Sequence, residues 1–479
     1  MTMPTDLTAL DAADLATAIA ARDVSCVEVM IAYLDRIERI NPALNAIVSL
    51  RGRDDLLAEA RARDAMIARG ETLGPLHGLP HAVKDLELTA GIRTSFGSPL
   101  FRDFVPDRDS VTVERLKRAG AIIIGKTNTP EFGLGSHTFN EVFGPTRNPY
   151  DRSRSAGGSS GGAGAALAAR LVPLADGSDY AGSLRNPGAW NNLYALRPSP
   201  GVVARETVDL FLLSPSVVGP MARTVRDLAL LLSVQAGHDP RVPSSRTDDP
   251  ARFAAALDGA VDRARIAWAG DFGGHIPYEP GVLELCQTAL RAFGDLGCAV
   301  ESAAPDFPLD RLWRDWLVLR SWHTATGQAP YYRDAEKRRH IKPELIWETE
   351  RGLKLTATEI ADASAGRSEW YRAVNRFFGR YDFLVLPSAQ LFPFPVEWRW
   401  PREIGGRVMD SYHRWMENNI VITMSGCPAL NVPVGFDSRG LPMGMQIVAP
   451  IGQEMRLLRL ARAYERMRDP FPDPPLAAA

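Results

Sequence analysis

The sequence has few cysteines, and those it has are scattered. Its 479 residues include four, Cys26, Cys286, Cys298 and Cys427. None belongs to a CxxC pair, and no group of cysteines and histidines has the spacing of a zinc site. This pattern argues against a disulfide scaffold and is typical of a reducing compartment. We therefore expect a cytoplasmic protein with no metal site.

Charge of one sign is also missing, and so is any long apolar run. The 55 Lys+Arg residues almost balance the 57 Asp+Glu residues, which gives a formal net charge of −2. Proteins that bind nucleic acids or anionic membrane surfaces need a basic face, which this balance does not support. No apolar stretch is long enough to span a membrane, and residues 1–23 lack the basic start of a signal peptide. The sequence therefore predicts no nucleic-acid partner and no membrane association.

What the sequence does contain is typical of a large α/β enzyme. Hydrophobic residues make up 45% of the chain, which is long enough to bury a sizeable core. Residues 1–70 predict helices, and further along apolar strand segments alternate with amphipathic helices, which favours an α/β core. Composition changes in residues 305–415, which hold eight of the ten tryptophans.

Several local signals predict where elements begin and end. Ser25 and Glu28 form a potential capping box for a helix that should stop at Pro42. Leu171–Leu174 has the apolar pattern of a strand. Gly177–Gly188 is rich in glycine and serine, so we expect an irregular turn there.

One segment imitates a nucleotide site. Gly120–Thr127 matches the phosphate-loop pattern GxxxxGK[ST]. A phosphate loop needs a flexible turn followed by a helix, but the variable positions here are alanine and three isoleucines, and Pro130 follows soon after. We interpret the segment as a strand that ends at Lys126.

A second segment imitates the nucleophile elbow of α/β-hydrolases. Gly157–Gly161 matches the pattern GxSxG, which would make Ser159 the nucleophile of an esterase. An elbow needs a strand that runs directly into the serine, whereas residues 148–155 predict a loop. We keep this function as a lesser alternative. Its possible histidine bases are His323, His340 and His413.

Three features in chain order indicate a different chemistry: Lys84 in an apolar strand, the Gly/Ser loop 156–163 and a second loop at 177–185. A buried lysine loses part of the solvation of its charged form, so its pKa falls toward the range of a general base. A neutral amine can deprotonate a serine hydroxyl and so activate a nucleophile. Successive backbone N–H groups in the second loop can bind a developing oxyanion. Those amides belong to Tyr180, Ala181, Gly182 and Ser183.

The stretch from Gly78 to Pro198 resembles the amidase signature family. The segments that carry the resemblance are GLPHAVKD (78–85), GKTNTPEFG (125–133), FGPTRNP (143–149) and GGSSGG (157–162). Weaker similarity extends over residues 5–470. The resemblance implies a single large α/β domain, residues 1–479, with a signature core at 78–200 and a central mixed β-sheet covered by helices on both sides. It also implies catalysis without a cofactor.

The resemblance further implies a Ser–cis-Ser–Lys triad. Ser183 matches the nucleophile, Ser159 the relay and Lys84 the base, with a cis peptide between Gly158 and Ser159. Ser183 would attack an amide carbonyl, release the amine and form an acyl-enzyme that water hydrolyses. The side chains expected to support the relay by hydrogen bonds are Ser155 and Ser160.

The chain departs from the family at the turn before the nucleophile. The usual pattern is close to GTDTGGS, whereas residues 177–183 read GSDYAGS. Tyr180 places a large ring beside the nucleophile, and Ala181 replaces a glycine, so the shape of the pocket should differ. We expect Asp179 and Arg185 to form an ion pair that braces this turn.

The tryptophan-rich segment lies where this family usually builds its specificity wall. We therefore expect an apolar or aryl pocket and a small-molecule amide substrate, with aryl amides as the first choice. Esters and carbamates (urethanes) present a similar carbonyl and are secondary candidates. The residues expected to bind the substrate are Tyr180, Trp190, Trp313, Trp316, Trp322, Trp400 and Trp415.

The resemblance leaves more than one function open. We favour a stand-alone amidase, as a monomer or homodimer, because of the altered turn at Tyr180. An amidotransferase subunit, which works with partner chains and ATP-dependent chemistry, resembles the same family. A catalytically inactive binding protein is disfavoured because Lys84, Ser159 and Ser183 are all present.

Overall fold

Most of the strands are short and buried. The computed structural model describes residues 6–211, 214–255, 257–261, 263–468 and 472–475. The strands are β1 (Ile47–Val48), β2 (Pro80–Lys84), β3 (Ile122–Thr127), β4 (Ala175–Asp179), β5 (Tyr194–Arg197), β6 (Val217–Ala222), β7 (Arg265–Trp268), β8 (Ala299–Ser302), β9 (Phe383–Pro387), β10 (Glu403–Ile404), β11 (Arg407–Val408), β12 (Ala429–Phe436) and β13 (Pro442–Val448).

The largest sheet has eight strands in the order β4-β6-β5-β12-β13-β9-β7-β8. Strand β7 is parallel to β8 and β9, whereas the other neighbours in this sheet are antiparallel. A smaller sheet has the order β1-β3-β2, and its strand β2 packs against β4 of the large sheet. This contact brings the end of β2 to the start of the turn that follows β4.

Helices flank the large sheet. For example, the helices 185–190 and 282–295 both pack against β12 and β13. The chain is thus a mixed α/β domain, which confirms the predicted fold class. The helices are α1 (Ala12–Ala21), α2 (Cys26–Leu44), α3 (Arg53–Ala68), α4 (Val111–Arg118), α5 (Gly161–Ala168), α6 (Arg185–Trp190), α7 (Val225–Gln235), α8 (Val282–Asp295), α9 (Leu309–Arg333), α10 (Ala335–Arg338), α11 (Pro343–Gly352), α12 (Ala357–Phe377), α13 (Glu417–Ser425) and α14 (Glu454–Arg466).

Helix α2 of the N-terminal helical region begins as predicted but ends later. Ser25 and Glu28 form the expected capping box at the start of α2. The predicted stop at Pro42 is wrong, because the helix continues to Leu44 and ends where Asn45 adopts the left-handed conformation (φ 54°). The predicted boundaries at residues 1 and 479 lie outside the described residues.

The strand predicted at Leu171–Leu174 is wrong. The strand is β4, which begins at Ala175 and includes the first three residues of the predicted irregular turn. Its position is set by antiparallel pairing with β6, some forty residues further along the chain, which local sequence does not reveal. The irregular turn is therefore short and lies between β4 and α6.

The segment that imitates a phosphate loop is a buried strand, as predicted, although it ends one residue later, at Thr127. Lys126 is fully buried in β3, where its Nζ donates to the Glu87 carbonyl at 2.5 Å and to Thr89 Oγ1 at 2.8 Å. Both contacts lie within the core, so we assign Lys126 a structural role.

The tryptophan-rich segment 305–415 is largely helical. Helix α9 packs against α11 and α12, and α13 packs against α9 and α12. Together these helices form a layer beside the turn that joins β4 to α6. In the part of the chain that the structure describes, no helix is long and apolar enough to cross a membrane.

Candidate active site

Lys84 ends strand β2 and is fully buried. Its Nζ lies within hydrogen-bond distance of three hydroxyl groups, Ser159 Oγ at 2.8 Å, Ser160 Oγ at 2.8 Å and Ser178 Oγ at 3.0 Å. Burial lowers the pKa of Lys84 from its ordinary value to about 7, against the opposing attraction of the Asp176 carboxylate. A neutral amine bonded to a serine hydroxyl can act as a base near neutral pH.

Strand β4 supplies two of the residues that hold Lys84, and we missed both from the sequence. Asp176 accepts hydrogen bonds from the Lys84 backbone N–H at 3.2 Å and lies 3.0 Å from His81 Nε2. Ser178 contacts the Lys84 amine itself. Asp176 and Ser178 are two residues apart, and such residues lie on the same face of a strand. This spacing was the signal in the sequence, but it could be used only if β4 had been placed correctly.

The Gly/Ser loop presents Ser159 to the lysine. The Gly158–Ser159 peptide is cis. The loop is packed too closely for larger residues, because a Cβ at Gly158 would lie 2.9 Å from the His137 backbone nitrogen. Ser155 does not contact Ser159 as expected. Its hydroxyl lies 2.7 Å from His137 Nδ1 and accepts from the Gly157 N–H at 3.0 Å, so it braces the loop from behind.

An ion-paired aspartate organises the turn that carries Ser183. The predicted pair is present, with Arg185 Nη2 at 2.9 Å from Asp179 Oδ1, and Arg197 adds a second partner at 3.1 Å. All three side chains are fully buried. Burial alone would raise the pKa of Asp179, but Arg185 and Arg197 hold it well below the ordinary value, so the carboxylate stays charged.

The same carboxylate also accepts backbone hydrogen bonds within the turn. The Gly182 N–H donates to Asp179 Oδ1 at 2.9 Å, and the Leu184 N–H donates to Oδ2 at 3.2 Å. The prediction that the Gly182 amide binds an oxyanion is therefore wrong, because its hydrogen is already used. Gly182 is needed for its backbone instead, with φ 99° and Asn419 Cγ only 2.5 Å from an added Cβ.

A cavity of about 810 Å³ opens beside Ser159, Ser178 and Ser183. Its described aromatic wall is formed by phenylalanine and tyrosine. These rings pack on one another: Phe132 stacks on Tyr331 with ring centroids 5.9 Å apart, and Phe101 meets Phe132 edge-on at 6.1 Å. The aromatic lining residues are Phe96, Phe101, Phe132, Tyr180 and Tyr331.

No tryptophan lines this cavity among the described residues, so the predicted tryptophan wall needs correction. Trp190 is fully buried, donates from Nε1 to the Leu391 carbonyl at 2.9 Å and stacks on Trp415. Trp313 packs under the Arg414 guanidinium. Both tryptophans therefore belong to the core. A buried indole contributes a large apolar area, and its N–H usually finds a polar partner.

The other predicted tryptophans lie at different distances from the site. Trp316 contacts the edge of Tyr180, with ring centroids 5.4 Å apart, and so supports the nucleophile turn. Trp322 is half-buried beside His323. Trp400 packs under Arg402 and, with Trp415, borders a separate void of about 10 Å³.

No described histidine is placed to act as the base of Ser159 in this structure. Among the described residues, neither Ser159 nor Ser183 hydrogen-bonds to a histidine; His323 Nδ1 lies 3.0 Å from the Tyr180 hydroxyl, and His413 Nε2 lies 2.5 Å from Glu348. The geometry therefore does not support the α/β-hydrolase alternative. The described residues contain no cluster of three or more metal-ligating side chains.

Comparison with known proteins gives consistent matches. Residues 28–458 match the family model described as Amidase. The chain is 35% identical over 471 residues to an acylamidase from Rhodococcus erythropolis, covering 96% of this chain and 95% of that protein. It is 37% identical over 475 residues to a glutamyl-tRNA(Gln) amidotransferase subunit from Thermus thermophilus, covering 93% and 95%. The crystal structure of a bacterial aryl acylamidase superposes with a TM-score of 0.88 at 29% identity, covering 96% of each chain.

Proposed function

Because the chain belongs to the amidase signature family and is an amide-hydrolysing enzyme, we propose that it cleaves small amides carrying an apolar or aryl group by means of Ser183, Ser159 and Lys84. The observation that carries this proposal is the contact between Lys84 Nζ and Ser159 Oγ at 2.8 Å, made by a fully buried amine. A lysine in that position is poised to remove a proton rather than to hold a charge.

The reaction begins with proton transfer along the three side chains. Neutral Lys84 takes the proton of Ser159, which takes the proton of Ser183 as its oxygen attacks the carbonyl carbon. The carbonyl oxygen becomes negatively charged and is stabilised by backbone N–H groups of the turn, with Tyr180, Ala181 and Ser183 as the proposed donors. The Asp179 ion pairs hold that turn in place.

Collapse of the tetrahedral intermediate completes the first half-reaction. The C–N bond breaks, and the leaving amine receives its proton back through Ser159. An acyl group then remains on Ser183 as an ester. Water attacks this ester with the same base, and the carboxylic acid leaves while Ser183 regains its proton.

The cavity favours apolar or aryl substrates. Its phenylalanine and tyrosine rings offer apolar area for such a group, although charged side chains, among them Arg205, Glu206 and Arg320, also line the cavity. The acylamidase relative and the aryl acylamidase structure support the same class. Esters and carbamates are secondary substrates, because each has a carbonyl oxygen that can bind the same backbone N–H groups of the turn. We assign the layer of residues 305–415 to substrate selection through α9, which borders the cavity.

The test is hydrolysis of a small panel of anilides, aliphatic amides, esters and carbamates by the purified chain. We expect wild type to release the amine from at least one amide, and mass spectrometry after rapid quenching to find the acyl group on the peptide that contains Ser183. Ser183→Ala should give neither signal. Ser153→Ala, a matched change at an exposed serine of the preceding loop, should keep both. Acylation of any other residue would contradict the proposed nucleophile.

A partner-dependent amidotransferase subunit is the second candidate. It is favoured by the match to the Thermus thermophilus protein over 93% of this chain. The two functions make different demands, because a stand-alone amidase turns over simple amides without ATP or partner chains. Steady turnover of an anilide by the purified chain alone supports the amidase. Activity that appears only with added partner chains and ATP supports the second function.

A further inference from the structure

Asp176 and His81 form a buried pair next to Lys84 that the proposed reaction does not yet use. Asp176 is fully buried on β4, and His81 is almost fully buried on β2, three residues before Lys84. His81 Nε2 lies 3.0 Å from Asp176 Oδ1. An ionised carboxylate can only accept hydrogen bonds, so His81 Nε2 donates to it. The Lys84 backbone N–H donates to the same carboxylate, at 3.2 Å from Oδ2.

The Asp176 side chain lies on the face of β4 that meets the Lys84 amine. Asp176 and Ser178 are two residues apart and share a face of that strand, which packs against β2. Ser178 Oγ lies 3.0 Å from Lys84 Nζ. Asp176 therefore neighbours a hydroxyl that contacts the amine. At such a separation two charges interact much more strongly in a buried environment than they would in water.

Other charged groups also act on the Lys84 amine, and the strongest are Asp176, Arg205, Asp179 and Glu87. Asp176 exerts the largest effect among them and favours the ammonium form, whereas Arg205 opposes that form. The two other carboxyl groups are less suited to balance a charge on the amine. Asp179 already has two buried arginine partners, and burial raises the pKa of Glu87, which favours its neutral form.

The proposed reaction converts Lys84 into an ammonium ion each time Ser183 attacks a substrate. A buried ammonium ion is costly unless a counter-charge lies nearby. We propose, resting on the proposed amidase function, that Asp176 is a positioning residue that supplies this counter-charge and that His81 holds the Asp176 carboxylate in place. The base is then a chain of three groups, in which His81 orients Asp176 and Asp176 stabilises the protonated lysine.

Loss of the charge at Asp176 has two effects that general structural damage would not produce together. The Lys84 ammonium becomes less stable, so the acidic limb of the kcat/KM profile moves to lower pH by about one unit or more. The amine also becomes a weaker base, so the rate above the limb falls by about tenfold. Structural damage alone would lower the rate at every pH and leave the limb in place.

The test is the pH profile of Asp176→Asn with the best amide substrate of the wild type, because this change removes the charge and keeps the size of the side chain. We expect both effects. Glu454→Gln is the matched control: Glu454 is also fully buried, but it accepts from the Ser199 N–H at 2.8 Å instead, so the limb should stay at the wild-type pH. An Asp176→Asn limb at or above the wild-type pH would overturn the inference. If the wild type hydrolyses no amide, the proposed function itself falls, and the inference falls with it.

Two changes at His81 give a second test, which decides the question if Asp176→Asn does not fold. His81→Gln keeps an N–H donor, so we expect its limb near the wild-type pH. His81→Leu removes the donor and leaves the carboxylate less well held, so its limb should move to lower pH by about half a unit or more. Limbs at the same pH in these two variants would show that His81 does not hold Asp176 and would overturn the proposed chain.

Discussion

The two sides of the nucleophile are built in different ways. On one side, strands β2 and β4 and the Gly/Ser loop bring Lys84, Ser178 and Ser159 into hydrogen-bond contact, and each of these residues has a defined polar partner. On the other side, helix α9 and the residues before α13 supply Trp316 and Met416 through packing. We expect the first side to determine which bond chemistry is possible and the second to determine which molecules fit.

The two sides should therefore respond to substitution in separable ways. A change on the strand side should alter the chemical step and its pH dependence for every substrate. A change on the helical side should alter the ranking of substrates and leave the pH dependence in place, because no helical residue contacts Lys84 Nζ among the described hydrogen bonds.

The largest effect is expected from the nucleophile. Ser183→Ala should lower kcat/KM by about 10⁴-fold or more for all amides tested, since the relay Ser159 then has no nucleophile to deprotonate. Substrate affinity should persist, because the aromatic wall is unchanged. The measurement is kcat/KM together with binding of an intact substrate by calorimetry. Retained turnover with bound acyl group elsewhere would show that the strand side is misassigned.

The next effect concerns the base. Lys84→Ala should lower kcat/KM by about 10³-fold, and wild type should lose activity as the pH falls through about 7. The direction of this pH dependence follows from the protonation of the amine. Below its pKa the lysine is an ammonium ion and cannot accept the Ser159 proton, so the rate falls about tenfold per pH unit. Above that pH the rate should level off. A profile without this acidic limb for any substrate would contradict the role of Lys84.

Most of the strand side could be predicted from the sequence, because the resemblance to the amidase signature family assigns Lys84, Ser159 and Ser183. A lysine in an apolar strand followed by two Gly/Ser loops is consistent with that chemistry, and the Asp179–Arg185 pair is visible as an acid and a base six residues apart. Asp176 and Ser178 were missed because the strand was placed at 171–174. The position of β4 is set by its pairing with β6, and local sequence patterns carry no information about that pairing.

The helical side could not be predicted to the same degree. Tryptophan is apolar enough to fill a core or a pocket, so its position depends on which helices meet, and Trp190 and Trp313 lie in the core. Tyr331 lines the cavity from α9, and the other rings come from short turns around Phe96, Phe101, Phe132 and Tyr180. Their side chains meet only after distant segments have packed, which leaves no short-range signal.

The third effect falls on the support beneath the nucleophile turn. Asp179→Asn leaves Arg185 and Arg197 buried without a counter-charge, so we expect a loss of about 3–5 kcal/mol in the free energy of unfolding. Urea denaturation monitored by fluorescence measures it. Asp437→Asn, at a partly exposed ion pair with Arg439, is the control and should cost about 1 kcal/mol or less. Equal losses would mean that the buried pairs do not support the turn.

The smallest effect is expected on the aromatic wall, and it tests the comparison most directly. Phe101→Ala removes a ring that lines the cavity and contacts Phe132 edge-on, so KM for anilides should rise by about tenfold, since the lost contact is apolar and is made equally in the ground and transition states. The value of kcat and the acidic limb near pH 7 should stay unchanged. Trp322→Ala is the control from the tryptophan-rich segment: Trp322 does not line the cavity and should leave KM within about twofold. If instead Trp322→Ala raised KM and Phe101→Ala did not, tryptophans would form the wall of the cavity. The tryptophan-rich composition of residues 305–415 would then be enough to predict which residues select the substrate.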